Sequence, residues 1–190
     1  MCCCCLSSSS FIVLNMLILC GQNTVSAADI KSKLSNFVDK EGNISLPKDF
    51  RKVMSHLGSW YVPAGDASGF HDVYAQQADI TKYRKTGSFP DGTILIKELR
   101  ASNSADYSTG NNVSYANKTI KQWFVMIKDT KNRFSNNKNW GNGWGWALFK
   151  TDKPDVNVST DYQKDCLGCH FPAKDTDWVY IEGYPTLTNQ

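Results

Sequence analysis

Runs of β-branched and aromatic residues alternate with polar stretches along the chain, which is the pattern of a sheet built from short strands. Pro90-Asp91-Gly92 predicts a turn ahead of one of these runs. The polar stretches 102–117 and 135–143 are rich in Asn, Ser and Gly and are predicted loops. The predicted strands are Val73–Ala75, Thr93–Arg100, Ile120–Lys128, Trp144–Lys150 and Trp178–Ile181.

Three other segments carry helix signals. Residues 29–38 form the first, and Pro47–Leu57 forms the second, with the proline in the first helical turn and Gly58 as a stop. The third runs from Asp79, a good N-cap, to Lys85 and is ended by Gly87. Strands and helices together predict an α+β fold, a mainly antiparallel sheet with a few flanking helices.

One predicted strand carries a lysine on an apolar face. Alternation along Thr93–Arg100 places Lys97 on the same face as Leu95 and Leu99. The opposite face carries Ile94, Ile96, Glu98 and Arg100. One interpretation is an edge strand whose lysine reaches water or blocks edge pairing. The other is an amine in an apolar pocket, where desolvation lowers its pKa and leaves it nucleophilic. The pattern alone leaves both open.

The first 27 residues contain no Lys, Arg, Asp or Glu, and residues 11–20 are apolar apart from Asn15. This run is shorter than the ~20 apolar residues that span a bilayer, but it fits the apolar region of a secretory signal. The small residues Val25-Ser26-Ala27 then predict cleavage, so that residues 28–190 form a single exported, periplasmic domain. An alternative takes Cys20 as a lipid-attached residue.

Charge and composition narrow the function further. With 21 Lys plus Arg against 18 Asp plus Glu, the net charge of +3 gives no basis for nucleic acid binding. Five of the seven cysteines lie in the predicted leader, which leaves Cys166 and Cys169. A disulfide between these two would close a very small loop and add little stability, so the pair needs another role.

The two cysteines and the histidine after them form the motif C-x-x-C-H, from Cys166 to His170, which is the attachment signal for haem c. Thioether bonds to the two haem vinyl groups need sulfurs about one helical turn apart, and His170 then becomes the proximal iron ligand. A structural zinc site would need two more ligands, for which only His56 and His71 remain. A thioredoxin-like pair would open a helix after a strand, whereas this motif follows a polar segment. One covalently attached haem c near the C-terminus is therefore predicted.

Several blocks of the chain, in the same order, resemble the cytochrome P-460 family. The blocks are residues 46–51 (LPKDFR), 83–93 (YRKTGSFPDGT), 96–99 (IKEL), the aromatic segment 140–149, the haem motif, 175–177 (DTD) and Tyr184-Pro185. The resemblance covers essentially the whole chain after the leader. It implies a small exported haem protein, typically a homodimer, with a mainly antiparallel sheet packed against the haem. Characterised members oxidise hydroxylamine.

The resemblance also implies roles for particular residues. The family's enzymes carry a bond from a lysine to the porphyrin edge, and Lys97 lies in the matching block, which favours the pocket interpretation. Asp161 lies five residues before the haem motif, about where active members place a carboxylate, and is a candidate catalytic acid or base. Its alternative role is to cap a helix. Phe70 is predicted to line the haem pocket, with His71 pointing away.

Two other functions stay open. A sister group, cytochrome c-prime beta, shares the fold without the lysine bond and binds nitric oxide or other small gases without turnover. A plain electron carrier would need a sixth protein ligand, and the available side chains are Met54, His56, His71 and Met126. In the leading interpretation, hydroxylamine is oxidised to nitric oxide or nitrous oxide and a separate redox partner accepts the electrons.

Overall fold

A computed structural model describes residues 34–188 as a six-stranded antiparallel sheet with short helices. The strands are β1 (Ser55–Val62), β2 (Gly69–Ala75), β3 (Ile94–Tyr107), β4 (Gly110–Lys128), β5 (Trp140–Gly141) and β6 (Trp144–Lys150). Their spatial order is β1-β2-β3-β4-β6-β5, and every neighbouring pair is antiparallel. The predicted α+β fold is therefore confirmed.

The helices are short and flank the sheet. They are α1 (Phe50–Val53), α2 (Gln77–Thr86), α3 (Tyr162–Asp165), α4 (Leu167–His170) and two 3-10 helices, Phe171–Thr176 and Pro185–Leu187. The predicted helix 79–85 lies within α2, and Gly87 ends it in the left-handed conformation with φ 69° as predicted. Its N-cap is Gln76, so Asp79 lies in the first turn and is not the cap. Among residues 34–188, no helix has the length and apolar character needed to span a membrane.

The other two helix predictions were wrong where the structure describes them. Only residues 50–53 of the predicted helix Pro47–Leu57 are helical, and Ser55–Leu57 already belong to β1, where Ser55 pairs with Ala75. Pairing with β2 and burial of Leu57 outweigh the helix signals. Residues 34–38 form a turn that ends in an isolated bridge from Val38 to Ile44. Residues 29–33 and the predicted leader, including Cys20, lie outside the described residues.

The strand predictions found the buried sections of β3, β4 and β6 but missed other strands, including β5 in the predicted loop 135–143. The β6 prediction has the observed bounds, but β3 and β4 continue as a long hairpin through the stretch 102–117 that was predicted to be a loop. Small polar residues hold that part, with Ser104 Oγ 3.1 Å from Ser114 Oγ. Both faces there are polar, so no hydrophobic alternation marks the strands. The predicted strand Trp178–Ile181 is also wrong, because Trp178 lies in a turn with φ 67°.

Strand alternation gives the sheet two faces with different coverings. The face that carries Ile94 and Ile96, here the rear face, packs against the N-terminal segment around Val38 and Phe50. The opposite face, here the cavity face, packs against the C-terminal segment around Tyr162 and other buried residues. The haem motif lies in that C-terminal segment, so the fold brings it against the cavity face.

A buried carboxylate braces the rear face directly behind Lys97. Glu98 is 1% exposed and pairs with the Arg51 guanidinium from α1. Its second oxygen accepts a 3.0 Å hydrogen bond from Trp123 Nε1 on β4. Arg100 Nε lies 3.9 Å from the carboxylate. The segment of β3 that carries Lys97 is therefore fixed by charged hydrogen bonds from two neighbouring elements.

Replacing Glu98 with alanine is expected to lower the free energy of unfolding by about 2 to 4 kcal/mol. The change leaves the Trp123 indole N–H without its acceptor, removes the charged bond to Arg51 and opens a small cavity. Urea denaturation measures the loss. The matched control is Glu182→Ala, since Glu182 is exposed and its replacement is expected to change stability by less than about 0.5 kcal/mol. Equal effects of the two substitutions would contradict the bracing role.

Candidate functional site

The haem motif folds as a short helical segment. Cys166 lies between α3 and α4, and α4 carries Cys169 and His170, so the two sulfurs are set about one helical turn apart. Both cysteines are free thiols. Burial raises the pKa of Cys166 to about 11, which keeps this thiol protonated at neutral pH. The spacing that the motif predicted is present in the fold.

His170 is held by a backbone acceptor and a tryptophan. Its Nδ1 lies 2.8 Å from the carbonyl oxygen of Trp178, and its ring meets the Trp146 ring edge-on with centroids 4.9 Å apart. A carbonyl can only accept, so Nδ1 carries the proton and Nε2 keeps its lone pair. Burial lowers the pKa of His170 to about 4, so the imidazole is neutral and suited to ligate a metal.

A cavity of about 470 Å³ separates this segment from the sheet. Most of its lining is apolar, and its size falls within the ~300–1,000 Å³ of small-molecule and cofactor pockets. Both cysteines and His170 line it from the C-terminal segment. The side chains that line it from the sheet include Lys97, His71, Gln122, Phe124, Met126 and Trp146.

Lys97 lies in the cavity and not at a sheet edge. Its strand β3 is central, hydrogen-bonded to β2 on one side and β4 on the other, so the edge interpretation is wrong. The ammonium sits 4.0 Å from the ring centroid of its cross-strand partner Phe124. Desolvation lowers the pKa of Lys97 to about 8, although the two cysteines oppose the shift. A larger fraction of neutral, nucleophilic amine is therefore present near neutral pH than for an exposed lysine.

The strand register arranges the side chains of the cavity face in three rows. Met126 and Trp146 share the row against which His170 packs, Lys97 and Phe124 share the next, and His71 and Gln122 belong to the third. Successive rows are two residues apart along each strand, or roughly 7 Å. Lys97 therefore lies between the row that contacts His170 and the row that carries His71.

The predicted orientations of Phe70 and His71 are reversed in the structure. His71 and Val73 line the cavity, whereas Phe70 lies on the rear face and packs on Tyr61 with ring centroids 4.8 Å apart. Since Val73 faces the cavity, alternation along β2 sends His71 the same way and Phe70 the other. His71 Nε2 lies 2.7 Å from the carbonyl oxygen of Ala67. Desolvation lowers the pKa of His71, so the ring is neutral at neutral pH.

Asp161 acts as a helix cap in the structure. Its carboxylate accepts a 3.0 Å hydrogen bond from the backbone N–H of Gln163 at the start of α3, and Lys164 lies 4.0 Å away. Within helix α3, the residue that lines the cavity is Asp165. Its Oδ2 accepts a 2.9 Å hydrogen bond from the backbone N–H of Thr160. The geometry supports the capping alternative for Asp161 and places no part of it at the cavity.

The four candidate sixth ligands divide between the two faces. Met54 packs in the rear core, and His56 lies among polar groups, 3.1 Å from Ser59 Oγ. Met126 and His71 line the cavity. Two further residues of the site were not predicted from the sequence. Gln122 lines the cavity and could have been found, because strand alternation places it on the same face as Phe124. The backbone carbonyl of Trp178, which contacts His170, has no sequence signal.

The donor set fits haem c. Two free thiols stand one turn apart, the adjacent imidazole keeps Nε2 available, and an apolar cavity lies in front of both. Zinc fits less well, because His56 lies away from the cavity and His71 belongs to the row furthest from His170. Among residues 34–188, no three His, Cys, Asp or Glu side chains converge on a metal position.

The sheet, the motif and the cavity together define a c-type haem protein. The chain belongs to the cytochrome P460 family, whose model matches residues 47–181, most of the chain. The cofactor is haem c. A search of curated proteins found no match.

Proposed function

We propose that this cytochrome oxidises hydroxylamine at its haem, which is attached through Cys166 and Cys169 and ligated by His170. The observation that carries the proposal is the position of Lys97, half-buried on the cavity face between the row at His170 and the row at His71. The family resemblance associates a lysine bonded to the porphyrin edge with members that oxidise hydroxylamine. The location of Lys97 in the cavity that both cysteines and His170 also line supports such a bond.

Formation of the Lys97 bond is an oxidation and needs an oxidant. The amine nitrogen would join a carbon of the porphyrin edge, with loss of one hydrogen from each partner, or two protons and two electrons in all. We name a peroxide as the oxidant class, since hydrogen peroxide takes up these protons and electrons and leaves as two waters. The pKa of Lys97, lowered to about 8, supports the step because only the neutral amine has a lone pair to donate.

The bound haem would supply an iron with an open position that accepts electrons from the substrate. Oxidation of one hydroxylamine to nitric oxide releases three electrons and three protons. Oxidation of two to nitrous oxide and one water releases four of each. The electrons leave to a separate redox partner, and the protons need an acceptor on the protein.

We assign proton acceptance to His71. Its Nε2 donates to the Ala67 carbonyl, so Nδ1 carries the lone pair that can accept a proton. Desolvation lowers its pKa and keeps the ring unprotonated before turnover. Gln122, in the same row, offers an amide donor and acceptor that can orient a small polar substrate.

Replacing His71 with glutamine is expected to lower kcat/KM for hydroxylamine by about 100-fold, the lower range for loss of a proton-transfer group. The amide can still donate to Ala67 but accepts no proton. Steady-state oxidation with a one-electron acceptor dye measures the change. His56→Gln is the matched control on the rear face, with no expected effect. Unchanged turnover in His71→Gln would remove His71 from the mechanism.

Nitric oxide binding without turnover is the second candidate, and the mainly apolar lining of the cavity favours it, since a small neutral gas needs few polar contacts. Such a protein would bind nitric oxide at the haem and show no oxidation of hydroxylamine by an added acceptor. A simple electron carrier is the third candidate, with His71 or Met126 as the sixth ligand.

We also propose a cellular setting that follows from the leader and the family resemblance. Residues 1–27 would direct export to the periplasm, where covalent haem attachment takes place, and residues 28–190 would form one domain that assembles as a homodimer. Mass determination of the secreted protein tests the cleavage site, and light scattering tests the dimer. An N-terminus upstream of Ala28 would contradict the proposed cleavage, and a monomer would contradict the proposed homodimer.

A further inference from the structure

The turn that follows the haem motif has an unusual backbone. Asp177 and Trp178 have φ values of 60° and 67°, so two consecutive residues with a Cβ atom adopt the left-handed conformation. This conformation is unfavourable for such residues and persists only where surrounding contacts hold it. This turn brings the carbonyl oxygen of Trp178 to 2.8 Å from Nδ1 of His170.

A buried ion pair holds this turn. One carboxylate oxygen of Asp177 pairs with the ammonium of Lys128, and their side chains are only 11% and 9% exposed. The other oxygen accepts a 2.9 Å hydrogen bond from the backbone N–H of Phe89 and lies 3.4 Å from Ser88 Oγ. Asp177 therefore ties the turn to two separate parts of the molecule.

Lys128 is itself fixed at the end of a sheet strand. It is the last residue of β4, and its Nζ lies 4.7 Å from the ring centroid of Trp144 on the paired strand β6. Neither Lys128 nor Asp177 lines the cavity. The pair connects the sheet with the backbone that contacts His170, from outside the cavity lining.

We infer that Asp177 and Lys128 are positioning residues that aim the Trp178 carbonyl at His170 and so set how strongly His170 donates electrons to the haem iron. An acceptor at Nδ1 raises the basicity of the imidazole and strengthens its bond to the metal through Nε2. Stronger donation favours ferric over ferrous iron and lowers the reduction potential. The inference rests on haem binding at His170 and not on hydroxylamine as substrate.

The test replaces Asp177 with asparagine in the haem-loaded protein. Asparagine keeps the size of the side chain and tolerates the left-handed conformation, but it loses the charge that pairs with Lys128. Two quantities are measured, the iron–histidine stretching frequency of the ferrous protein by resonance Raman and the reduction potential by redox titration. We expect a lower stretching frequency and a higher reduction potential than in the unmodified protein.

Three further variants complete the design. Lys128→Met breaks the ion pair by removing its partner on the sheet and is expected to give the same two shifts. Lys128→Arg keeps the positive charge, so both quantities are expected to stay close to those of the unmodified protein. Asp175→Asn is the matched control, because Asp175 is exposed two residues before Asp177. It is expected to change neither quantity.

Unchanged stretching frequency and potential in either folded variant, Asp177→Asn or Lys128→Met, would overturn the inference even if thermal stability falls. That result would make the pair a structural contact only. If one variant does not fold, the other carries the test from the opposite side of the pair. Hydroxylamine turnover is not a readout here, so a protein that binds haem without oxidising hydroxylamine still gives a decisive result.

Discussion

Replacing Lys97 with leucine is expected to return the ferrous absorption spectrum to that of an ordinary five-coordinate haem c. It is also expected to lower the rate of hydroxylamine oxidation by more than about tenfold, which corresponds to about 1.4 kcal/mol in activation free energy. The reason is that a bond from Lys97 would change the electronic structure of the porphyrin itself, and leucine cannot form such a bond. Leucine also suits the apolar surroundings of this position on β3. The fold is therefore expected to survive the change.

A digest followed by mass spectrometry checks the same variant independently of turnover. In the unmodified protein, one haem is expected to join the peptide that contains Lys97 to the peptide that contains Cys166 and Cys169. In Lys97→Leu only the cysteine peptide should carry haem. Lys82→Leu is the control, since Lys82 is exposed on α2. A spectrum and a turnover rate that do not change in Lys97→Leu would remove Lys97 from the mechanism.

Replacing Cys166 and Cys169 together with serine is expected to abolish the two thioether bonds to haem and to leave the Lys97 bond as the remaining covalent link. Serine provides no sulfur for a thioether bond, so haem that is not bonded to Lys97 is held by His170 and cavity contacts alone and is extracted by acidified acetone. Each single variant keeps one sulfur and is expected to retain part of its haem through that bond. The measurement is the haem content of the protein after extraction.

Haem that stays with the double variant after extraction would show that another residue holds the cofactor covalently. Lys97 is the candidate for that residue, because it lies in the same cavity. The triple variant with Lys97→Leu distinguishes this case. Complete loss of haem from the triple variant but not from the double one would assign the remaining bond to Lys97.

Sequence patterns predicted the fold where one face of a strand is buried. Along β3 the alternation that separates Lys97 from Glu98 is the alternation in the structure, because each face packs against its own apolar core. The outer hairpin 102–117 has no such core and was predicted to be a loop. The start of β1 was predicted to be helix because Pro47 and Gly58 are helix signals, whereas its strand conformation depends on pairing with β2, where Ser55 lies opposite Ala75.

The candidate site was predictable to the extent that its chemistry depends on spacing. The motif from Cys166 to His170 requires only local helical geometry, and it is present as predicted. The orientation of His71 depends on which face of β2 meets the cavity, and a short strand without a clear pattern does not reveal this. The Asp177–Lys128 pair joins residues 49 positions apart, and the approach of the Trp178 carbonyl to His170 depends on a turn that no sequence pattern marks.

We propose that one haem c is bonded to Lys97 and ligated by His170, with an open iron position for hydroxylamine. The absorption spectrum of the purified ferrous protein tests this proposal most directly. We expect a Soret band shifted far to the red, as the family resemblance associates with the lysine bond. An ordinary five-coordinate high-spin spectrum would contradict it in favour of a gas-binding protein, and a low-spin six-coordinate spectrum would contradict it in favour of an electron carrier.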